Sequence, residues 1–140
     1  MPETITTYSI SEIAEKFQLS LPTLRYYDKE GLIPNLNKNE AGVRRFTDEN
    51  IGSLQIVECL KNSGMPIKDI KQFMSWTLEG DSTLDKRLEM FQALRKSVLT
   101  QMDKMQETLN TIDFKCDYYG QANADGTEKF VKESMHLKRP

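Results

Sequence analysis

An apolar repeat with a spacing of seven residues constrains the second half of this chain more than any other feature. One series begins at Leu84, and a second series begins at Leu88. On a helix the two series form one continuous stripe, so the pattern predicts a helix of about 36 residues, roughly 54 Å long. This apolar stripe comprises Leu84, Leu88, Phe91, Val98, Met102, Met105, Leu109, Ile112, Cys116 and Tyr119, and Arg95 interrupts it.

The apolar stripe requires a partner surface of similar length. The roughly 80 residues that precede it can bury only a modest core, and apolar residues make up 38% of the chain. A two-stranded coiled coil between two copies of the chain is therefore the favoured interpretation. Packing of the stripe against its own chain is the alternative.

Helix-capping residues and glycines divide the first part of the chain into short helices. Apolar residues at positions 10, 13, 14 and 17 follow Ser9 and predict a first helix. Ser20 caps a second helix, which has Pro22 in its first turn and ends at Gly31. Two helices joined by about three residues form a helix-turn-helix.

Turn residues and further caps organise the segment that follows. Residues 35–46 alternate weakly around central turn residues, which predicts a two-stranded hairpin or wing. Thr47 begins a third helix that ends before Gly64, and Pro66 begins a fourth that ends before Gly80. The predicted fold is mainly α: a winged helix-turn-helix and a helix pair (residues 7–80), a long dimerisation helix (81–119), and a short polar tail (120–140) that is weakly helical or disordered.

Charge and composition limit the possible functions. The formal net charge is −2, and residues 1–76 hold 9 Lys and Arg against 10 Asp and Glu. The chain therefore has no general attraction to polyanions, and any nucleic-acid binding must come from a local arrangement of basic side chains. Neither a targeting signal nor a membrane span is visible, so we expect a cytoplasmic protein without a membrane partner.

Catalytic and metal-binding motifs are also missing from the sequence. Cys59 and Cys116 are isolated thiols, so neither a disulfide scaffold nor a metal site is expected. His136 is the single histidine, and no catalytic triad or phosphate-binding loop is visible, which disfavours an enzyme. No cofactor is expected.

With these elements in this order, the chain resembles a MerR-family transcriptional regulator. The motifs that carry the resemblance are residues 23–28 (TLRYYD), 31–34 (GLIP) and 42–44 (GVR), with Gly64 and Ile70 at later positions. The resemblance implies an antiparallel coiled coil, so that the two DNA-reading domains lie farther apart than the roughly 34 Å between half-sites one turn apart. It also implies that a homodimer distorts double-stranded promoter DNA and thereby acts on RNA polymerase indirectly.

The same resemblance implies which residues face DNA. Arg25 can bind guanine with two hydrogen bonds or contact a phosphate, while Leu24 and Leu32 point into the core. Three alternatives remain: a surface pair of Arg25 with Asp28, a structural role for Tyr27 between helix and wing, and a merely solvated basic wing. Many relatives have a tyrosine at the position of Val43. The implied DNA-binding residues are Thr23, Arg25, Tyr26 and Tyr27 on the second helix, and Lys38, Arg44 and Arg45 in the wing.

The resemblance also indicates a sensing residue. The chain lacks the cysteine cluster of metal-sensing relatives and the large ligand-binding domain of drug-sensing ones. It is most similar to a short subgroup that responds to aldehydes and other electrophiles, whose cysteine matches Cys59. A buried structural cysteine is the alternative.

Two further sensing hypotheses, and one different class of function, remain open. Trp76, with Phe73 and Met74, could line a pocket for a small hydrophobic ligand, although such a cluster is more often core. Cys116 could form a disulfide with the partner's Cys59, although packing within the coiled coil is favoured. A coiled-coil adaptor that does not bind DNA is the alternative from another class.

Overall fold

The computed structural model describes residues 5–135. The order of elements confirms a mainly helical fold with an N-terminal helix-turn-helix, a small antiparallel sheet and a long C-terminal helix. The chain divides into two compact units, one ending at Phe91 and one beginning at Gln92. The elements are β1 (Tyr8–Ser9), α1 (Ile10–Phe17), α2 (Leu21–Lys29), β2 (Asn37–Lys38), β3 (Arg44–Phe46), α3 (Asp48–Asn62), α4 (Ile67–Glu79), α5 (Leu84–Asp125) and α6 (Lys129–Met135).

The helix-turn-helix is defined by the caps of α1 and α2. The Ser9 side chain accepts a hydrogen bond from the backbone N–H of Glu12, and the Glu12 side chain accepts one from the Ser9 N–H. After α1, Gln18 adopts a left-handed conformation with φ of 55°, which turns the chain. The Ser20 side chain then accepts a hydrogen bond from the N–H of Thr23 and starts α2.

The wing contains one more strand than the sequence analysis predicted. β2 and β3 form the expected hairpin, and β1 pairs with the other edge of β3, which gives the strand order β1-β3-β2. The prediction missed β1 because two residues directly before a helix carry no periodic signal. At the hairpin turn, Asn39 Oδ1 accepts hydrogen bonds from the N–H groups of Ala41 and Val43.

The core of the first unit lies between the helix-turn-helix, the sheet and α3 and α4. Thr47 and Asn50 cap α3 reciprocally, and the fully buried Asn50 donates from Nδ2 to the carbonyl oxygen of Pro34 at 3.0 Å. This bond ties α3 to the chain that leaves α2. The other buried side chains of the unit are apolar or aromatic, apart from Thr83: Ile13, Leu24, Tyr27, Leu32, Ile33, Phe46, Leu54, Val57, Leu60, Ile70, Phe73 and Met74.

A short turn connects α4 to α5. Gly80 has φ of 93°, a conformation that strains other residues, and residues 81–83 form one 3₁₀ turn. The buried Thr83 hydroxyl lies 2.7 Å from the Trp76 carbonyl oxygen, and the Arg87 guanidinium donates to the Gly80 carbonyl oxygen. These bonds satisfy carbonyl groups that the end of α4 leaves without helical partners.

Most of the segment 120–135, predicted as a polar tail that is weakly helical or disordered, is helical and belongs to α5 and α6. α5 contains 42 residues, about 63 Å at the rise of an α-helix, and it ends at Asp125 rather than at Tyr119. Gly126 follows with φ of 73°, and α6 packs Val131 against Tyr118 and Ala122. The heptad pattern stops at Tyr119, but helix-forming residues continue beyond it, and this explains the wrong boundary. His136 lies outside the described residues.

Candidate nucleic-acid interface

The outward face of α2 carries the two most exposed of the predicted DNA-binding side chains on this helix. Arg25 is exposed, and Tyr26 exposes 45% of its surface. Within residues 5–135 no ion pair of Arg25 is found, and the alternative pairing with Asp28 does not form. Arg25 therefore presents its guanidinium to solvent, where it can bind a phosphate or the edge of a guanine.

Asp28 contacts the wing instead of Arg25. Its Oδ2 atom accepts a hydrogen bond from Arg44 Nε at 2.7 Å, and Lys38 Nζ lies 4.0 Å from the same oxygen. The Asp28 and Arg44 side chains expose only 19% and 21% of their surfaces. An open depression of about 530 Å³ lies at this junction, lined by Pro22, Arg25, Tyr26, Asp28, Lys29, Lys38 and Arg44.

Two further predicted contact residues form hydrogen bonds within the protein. The guanidinium of Arg45 donates to the hydroxyl and the carbonyl oxygen of Thr7, which precedes β1. The Thr23 hydroxyl lies 2.7 Å from the Ser20 hydroxyl at the start of α2. Both side chains thus have a local structural role, and the bond from Arg45 helps to hold β1 on β3.

Tyr27 is buried, which corrects its inclusion among the outward-facing residues. It exposes 2% of its surface. Its hydroxyl donates to Glu58 Oε1 at 2.9 Å and accepts from Lys61 Nζ at 2.9 Å, and both partners belong to α3. Tyr27 therefore fixes α2 on α3, a role close to the structural alternative, although its partner is α3 and not the wing.

The pKa values of this Tyr27 cluster follow from the same contacts. Burial raises the pKa of Tyr27, the hydrogen bond from Lys61 opposes this effect, and the Glu58 carboxylate adds to it. The hydrogen bond with Tyr27 raises the pKa of Lys61. At neutral pH the cluster therefore contains a neutral phenol and a charged ammonium group.

Cys59 lies on α3 within the turn that carries Glu58 and Lys61, and it is exposed. The alternative of a buried structural cysteine is therefore wrong. Ile56, one turn earlier, is also partly exposed, at 38%, so this side of α3 is open to solvent. The Cys59 thiol is open to small reagents in a single chain.

The predicted ligand pocket at Trp76 takes a different form. A groove of about 430 Å³ runs between α3 and α4, and its apolar lining includes Ile56, Phe73, Met74 and Leu78. Trp76 is half-buried and is not among the lining residues. Phe73 and Met74 therefore line this groove, whereas a ligand-binding role of Trp76 stays a prediction.

The apolar stripe of α5 is largely exposed in the single chain. Two members have aromatic neighbours: the half-buried Phe91 packs edge-to-face on Phe73 with ring centroids 5.3 Å apart, and Tyr119 packs on Tyr118 with centroids 5.0 Å apart. Val98 is half-buried, and Cys116 is exposed. The other members are exposed by about half or more: Leu84 54%, Leu88 59%, Met102 61%, Met105 68%, Leu109 47%, Ile112 52% and Tyr119 55%.

The described part of the chain also answers two general questions. No group of three or more His, Cys, Asp or Glu side chains suited to hold a metal ion occurs within it. None of its helices is long and apolar enough to cross a membrane.

Sequence reasoning missed two partners of the candidate interface. Asp28 was considered only as a partner of Arg25, and Thr7 was not considered at all. Asp28 and Arg44 are 16 positions apart, a separation at which sequence spacing indicates no contact. The one signal in the sequence was Asp28 itself, an acidic residue on a helix that is expected to approach negatively charged DNA.

Comparison with known proteins identifies the family. The model of the MerR HTH family regulatory protein matches residues 8–76. An uncharacterised HTH-type transcriptional regulator of Haemophilus influenzae is 43% identical over 125 residues, which cover 89% of this chain and 93% of that protein. The HTH-type transcriptional regulator AdhR of Bacillus subtilis is 33% identical over 79 residues, 56% of each chain.

Solved structures give the same result. HiNmlR, described as a MerR family regulator lacking the sensor domain and crystallised bound to promoter DNA, has a TM-score of 0.81 and 43% identity. The match covers 89% of this chain and 98% of that one. A MerR family regulator from Bacillus thuringiensis has a TM-score of 0.73 and 40% identity, covering 80% and 98% of the two chains.

The fold and the exposed recognition helix beside a basic wing define a winged helix-turn-helix regulator of transcription. The similarity in sequence and structure is more specific: this chain belongs to the MerR family.

Proposed function

We propose that the protein is a homodimeric, sequence-specific DNA-binding regulator that distorts promoter DNA and senses electrophiles through Cys59. The observation that carries the DNA-binding part is the exposed Arg25 and Tyr26 beside the wing. The DNA-bound relative HiNmlR matches 89% of this chain at 43% identity. With a net charge of −2, binding depends on this local surface and not on bulk charge.

The residues of the proposed interface fall into two groups: those that contact DNA and those that hold the contacting residues in position. Arg25 and Tyr26 reach base edges or phosphates from α2, and Lys38 contacts the backbone from the wing. Arg44 contributes its terminal nitrogens while Asp28 holds Nε. Tyr27 and Arg45 support this surface from within the protein and do not contact DNA.

The exposed apolar stripe supports dimerisation. A stripe of this length on one helix leaves a large apolar surface in water, and pairing with a second copy removes it. In an antiparallel pair of helices about 63 Å long, the two Leu84 ends are farther apart than the roughly 34 Å between half-sites one turn apart. Bending or untwisting of the promoter compensates for this difference and aligns its elements for RNA polymerase.

A variant of Arg25 tests the DNA-binding part of the proposal. Operator DNA is first selected from fragmented genomic DNA, and its affinity is then measured by gel shift at several salt concentrations. Arg25→Ala is expected to lower operator affinity about 10- to 100-fold, the range for one lost base contact. Lys96→Ala, which removes a positive charge from an exposed position of α5, serves as the matched control and leaves the affinity unchanged.

Two outcomes would contradict this part of the proposal. Unchanged affinity of Arg25→Ala would remove Arg25 from the interface. If the wild-type protein shows no salt-dependent affinity for any duplex, the function of a coiled-coil adaptor without DNA binding is favoured instead.

The exposed thiol on α3 supports the sensing part. A Cys59 thiolate adds to the carbonyl carbon of an aldehyde, so that an S–C bond forms, the C=O π bond breaks and the carbonyl oxygen takes up a proton. No leaving group is needed. Because Glu58 and Lys61 on the same turn contact Tyr27 of α2, an adduct at Cys59 is close to a contact that positions the recognition helix.

Cysteine variants in a reporter strain test this part. The strain carries the selected operator before a reporter gene and is exposed to increasing formaldehyde. Cys59→Ser should abolish the response, and Cys116→Ser, which replaces the other exposed thiol, should retain it. Peptide mapping by mass spectrometry should locate an adduct at Cys59 in the wild type and in Cys116→Ser.

The groove between α3 and α4 supports a second candidate. Its volume of about 430 Å³ and its apolar residues Phe73 and Met74 suit a small hydrophobic ligand bound without a covalent bond. In that case the Cys59→Ala reporter strain would still be induced normally. Leu78→Lys, at the exposed edge of the groove, would then abolish induction, which separates the two candidates.

A further inference from the structure

The acidic side chain at the junction of α2 and the wing is unexpected on a surface that approaches DNA. Asp28 is the single acidic residue within α2, and the depression around it is lined by four basic side chains: Arg25, Lys29, Lys38 and Arg44. A carboxylate at this position repels phosphates and reduces the local positive potential. Its presence therefore requires a role other than attraction of DNA.

The geometry shows what the Asp28 carboxylate does in the protein. It accepts the Nε–H of Arg44 at 2.7 Å, in a charge-assisted bond between two side chains that are about four-fifths buried. Within residues 5–135, the polar side-chain links found between α2 and the strands of the wing are those from Asp28 to Arg44 and to Lys38. The wing strands β2 and β3 contain only two and three residues, so this junction adds a restraint between the short hairpin and α2.

The same bond determines how Arg44 is presented. Because Nε is bonded to Asp28, the orientation of the guanidinium plane is restrained beside the depression that Arg44 helps to line. Among the described contacts, the two terminal nitrogens of Arg44 have no hydrogen-bond partner. Terminal nitrogens held in a fixed plane match the two oxygens of a phosphate or the two acceptors of guanine.

We propose that Asp28 is a positioning residue for DNA recognition. Through its bond to Arg44, Asp28 couples the wing to the recognition helix and so increases the discrimination between operator and other DNA. This inference rests on the proposed DNA-binding function. Asp28 reduces the affinity for every duplex through its charge, and it raises the affinity for the operator through the fixed Arg44. The two effects have opposite signs and can be separated by experiment.

A double-mutant cycle separates them. Affinities for the selected operator and for a shuffled duplex of equal composition are measured for the wild-type protein, Asp28→Ala, Arg44→Ala and the double variant. With Arg44 present, Asp28→Ala should raise affinity for the shuffled duplex about threefold, since one repulsive charge is removed. It should lower operator affinity about tenfold, the size of one lost contact to DNA. In the Arg44→Ala background it should raise both affinities by the same factor.

Three further variants complete the design. Asp28→Glu retains the charge and the reach to Arg44, and it should restore most of the discrimination. Asp28→Asn retains the shape and an acceptor, and serves if Asp28→Ala does not fold. Glu40→Ala removes an acidic charge from the exposed wing turn without contacting Arg44, so it should change both affinities equally.

The result that overturns the inference is a change in operator and shuffled affinities by the same factor for Asp28→Ala, whether or not Arg44 is present. The proposed function fails separately, if the wild-type protein shows no salt-dependent binding to either duplex. Wild-type discrimination without coupling between Asp28 and Arg44 therefore rejects the positioning role alone.

Discussion

The two units of the chain differ in how far they bury their apolar residues. In the unit that ends at Phe91, α1 to α4 and the sheet enclose a core with several fully buried side chains. In the unit that begins at Gln92, the buried cluster is small and consists of Tyr118, Ala122 and Val131, while the stripe members Met102, Met105, Leu109, Ile112 and Tyr119 remain exposed. The proposed DNA-binding surface lies within the first unit of one chain, whereas the exposed stripe is suited to pairing with a second copy. Burial in the single chain therefore distinguishes residues that stabilise the fold from residues that are available for pairing with a second copy.

The largest expected effect comes from a charge in the stripe. Leu109→Asp should prevent dimerisation, because burial of each leucine contributes about 1.5–3 kcal/mol and a carboxylate in the seam costs more. We expect the dimer dissociation constant, measured by sedimentation, to rise at least about a hundredfold. Thr100→Asp adds the same charge to an exposed position of α5 outside the stripe and should leave the dimer intact. A dimeric Leu109→Asp would show that the stripe serves another purpose.

Shortening a buried side chain tests the core of the first unit. Leu54→Ala, at a fully buried position of α3, should lower the free energy of unfolding by about 2–5 kcal/mol through the loss of contacts and the remaining cavity. Ile56→Ala, two positions away but 38% exposed, should cost less than about 1 kcal/mol. Chemical denaturation followed by circular dichroism measures both. Similar losses for the two variants would contradict the burial pattern.

The adjacent tyrosines allow a smaller and more selective comparison. Tyr27→Phe removes the hydroxyl shared by Glu58 and Lys61, and it should lower the free energy of unfolding by about 1–2 kcal/mol. Tyr26→Phe changes an exposed residue and should stay within about 0.5 kcal/mol. Both values are measured without DNA. Equal values would mean that the Tyr27 cluster contributes nothing to folding.

The smallest expected effect is a dependence of stability on alkaline pH. The pKa of Tyr27 is raised above 10.0 and that of Lys61 above 10.5, so the folded protein holds both protons more tightly than the unfolded chain. Their contribution is therefore fully present below about pH 10 and is lost as the pH rises through the folded values. Denaturation between pH 8 and pH 11 should show a smaller decline for Tyr27→Phe than for the wild type. An identical decline would exclude the cluster as its cause.

Much of the fold could be predicted because its signals are local. Ser9, Ser20 and Thr47 cap helices through bonds to residues three positions away, so their effect is visible in the sequence. The burial of Leu24 and Leu32 was also predicted correctly. By contrast, β1 and α6 are short elements whose existence depends on pairing with β3 and on packing against Tyr118 and Ala122.

The candidate site was less predictable because its side chains have several possible partners. By residue type alone, four side chains are able to contact DNA: Arg25, Tyr26, Tyr27 and Arg44. The structure exposes Arg25 and Tyr26. Tyr27 is buried, and Arg44 is bonded to Asp28. Tyr27 is buried because α3 supplies Glu58 and Lys61 from more than 30 positions away. Similarly, Asp28 meets Arg44 only after the hairpin folds back on α2.

The sequence by itself determined the helical caps, the helix-turn-helix and the apolar stripe, since each depends on residues within one or two turns of a helix. Only the tertiary structure decided which polar side chains face outward, because burial and pairing depend on elements distant in sequence. The same division applies to Asp28. Its place on α2 follows from local propensity, whereas its role at the wing follows from the approach of Arg44.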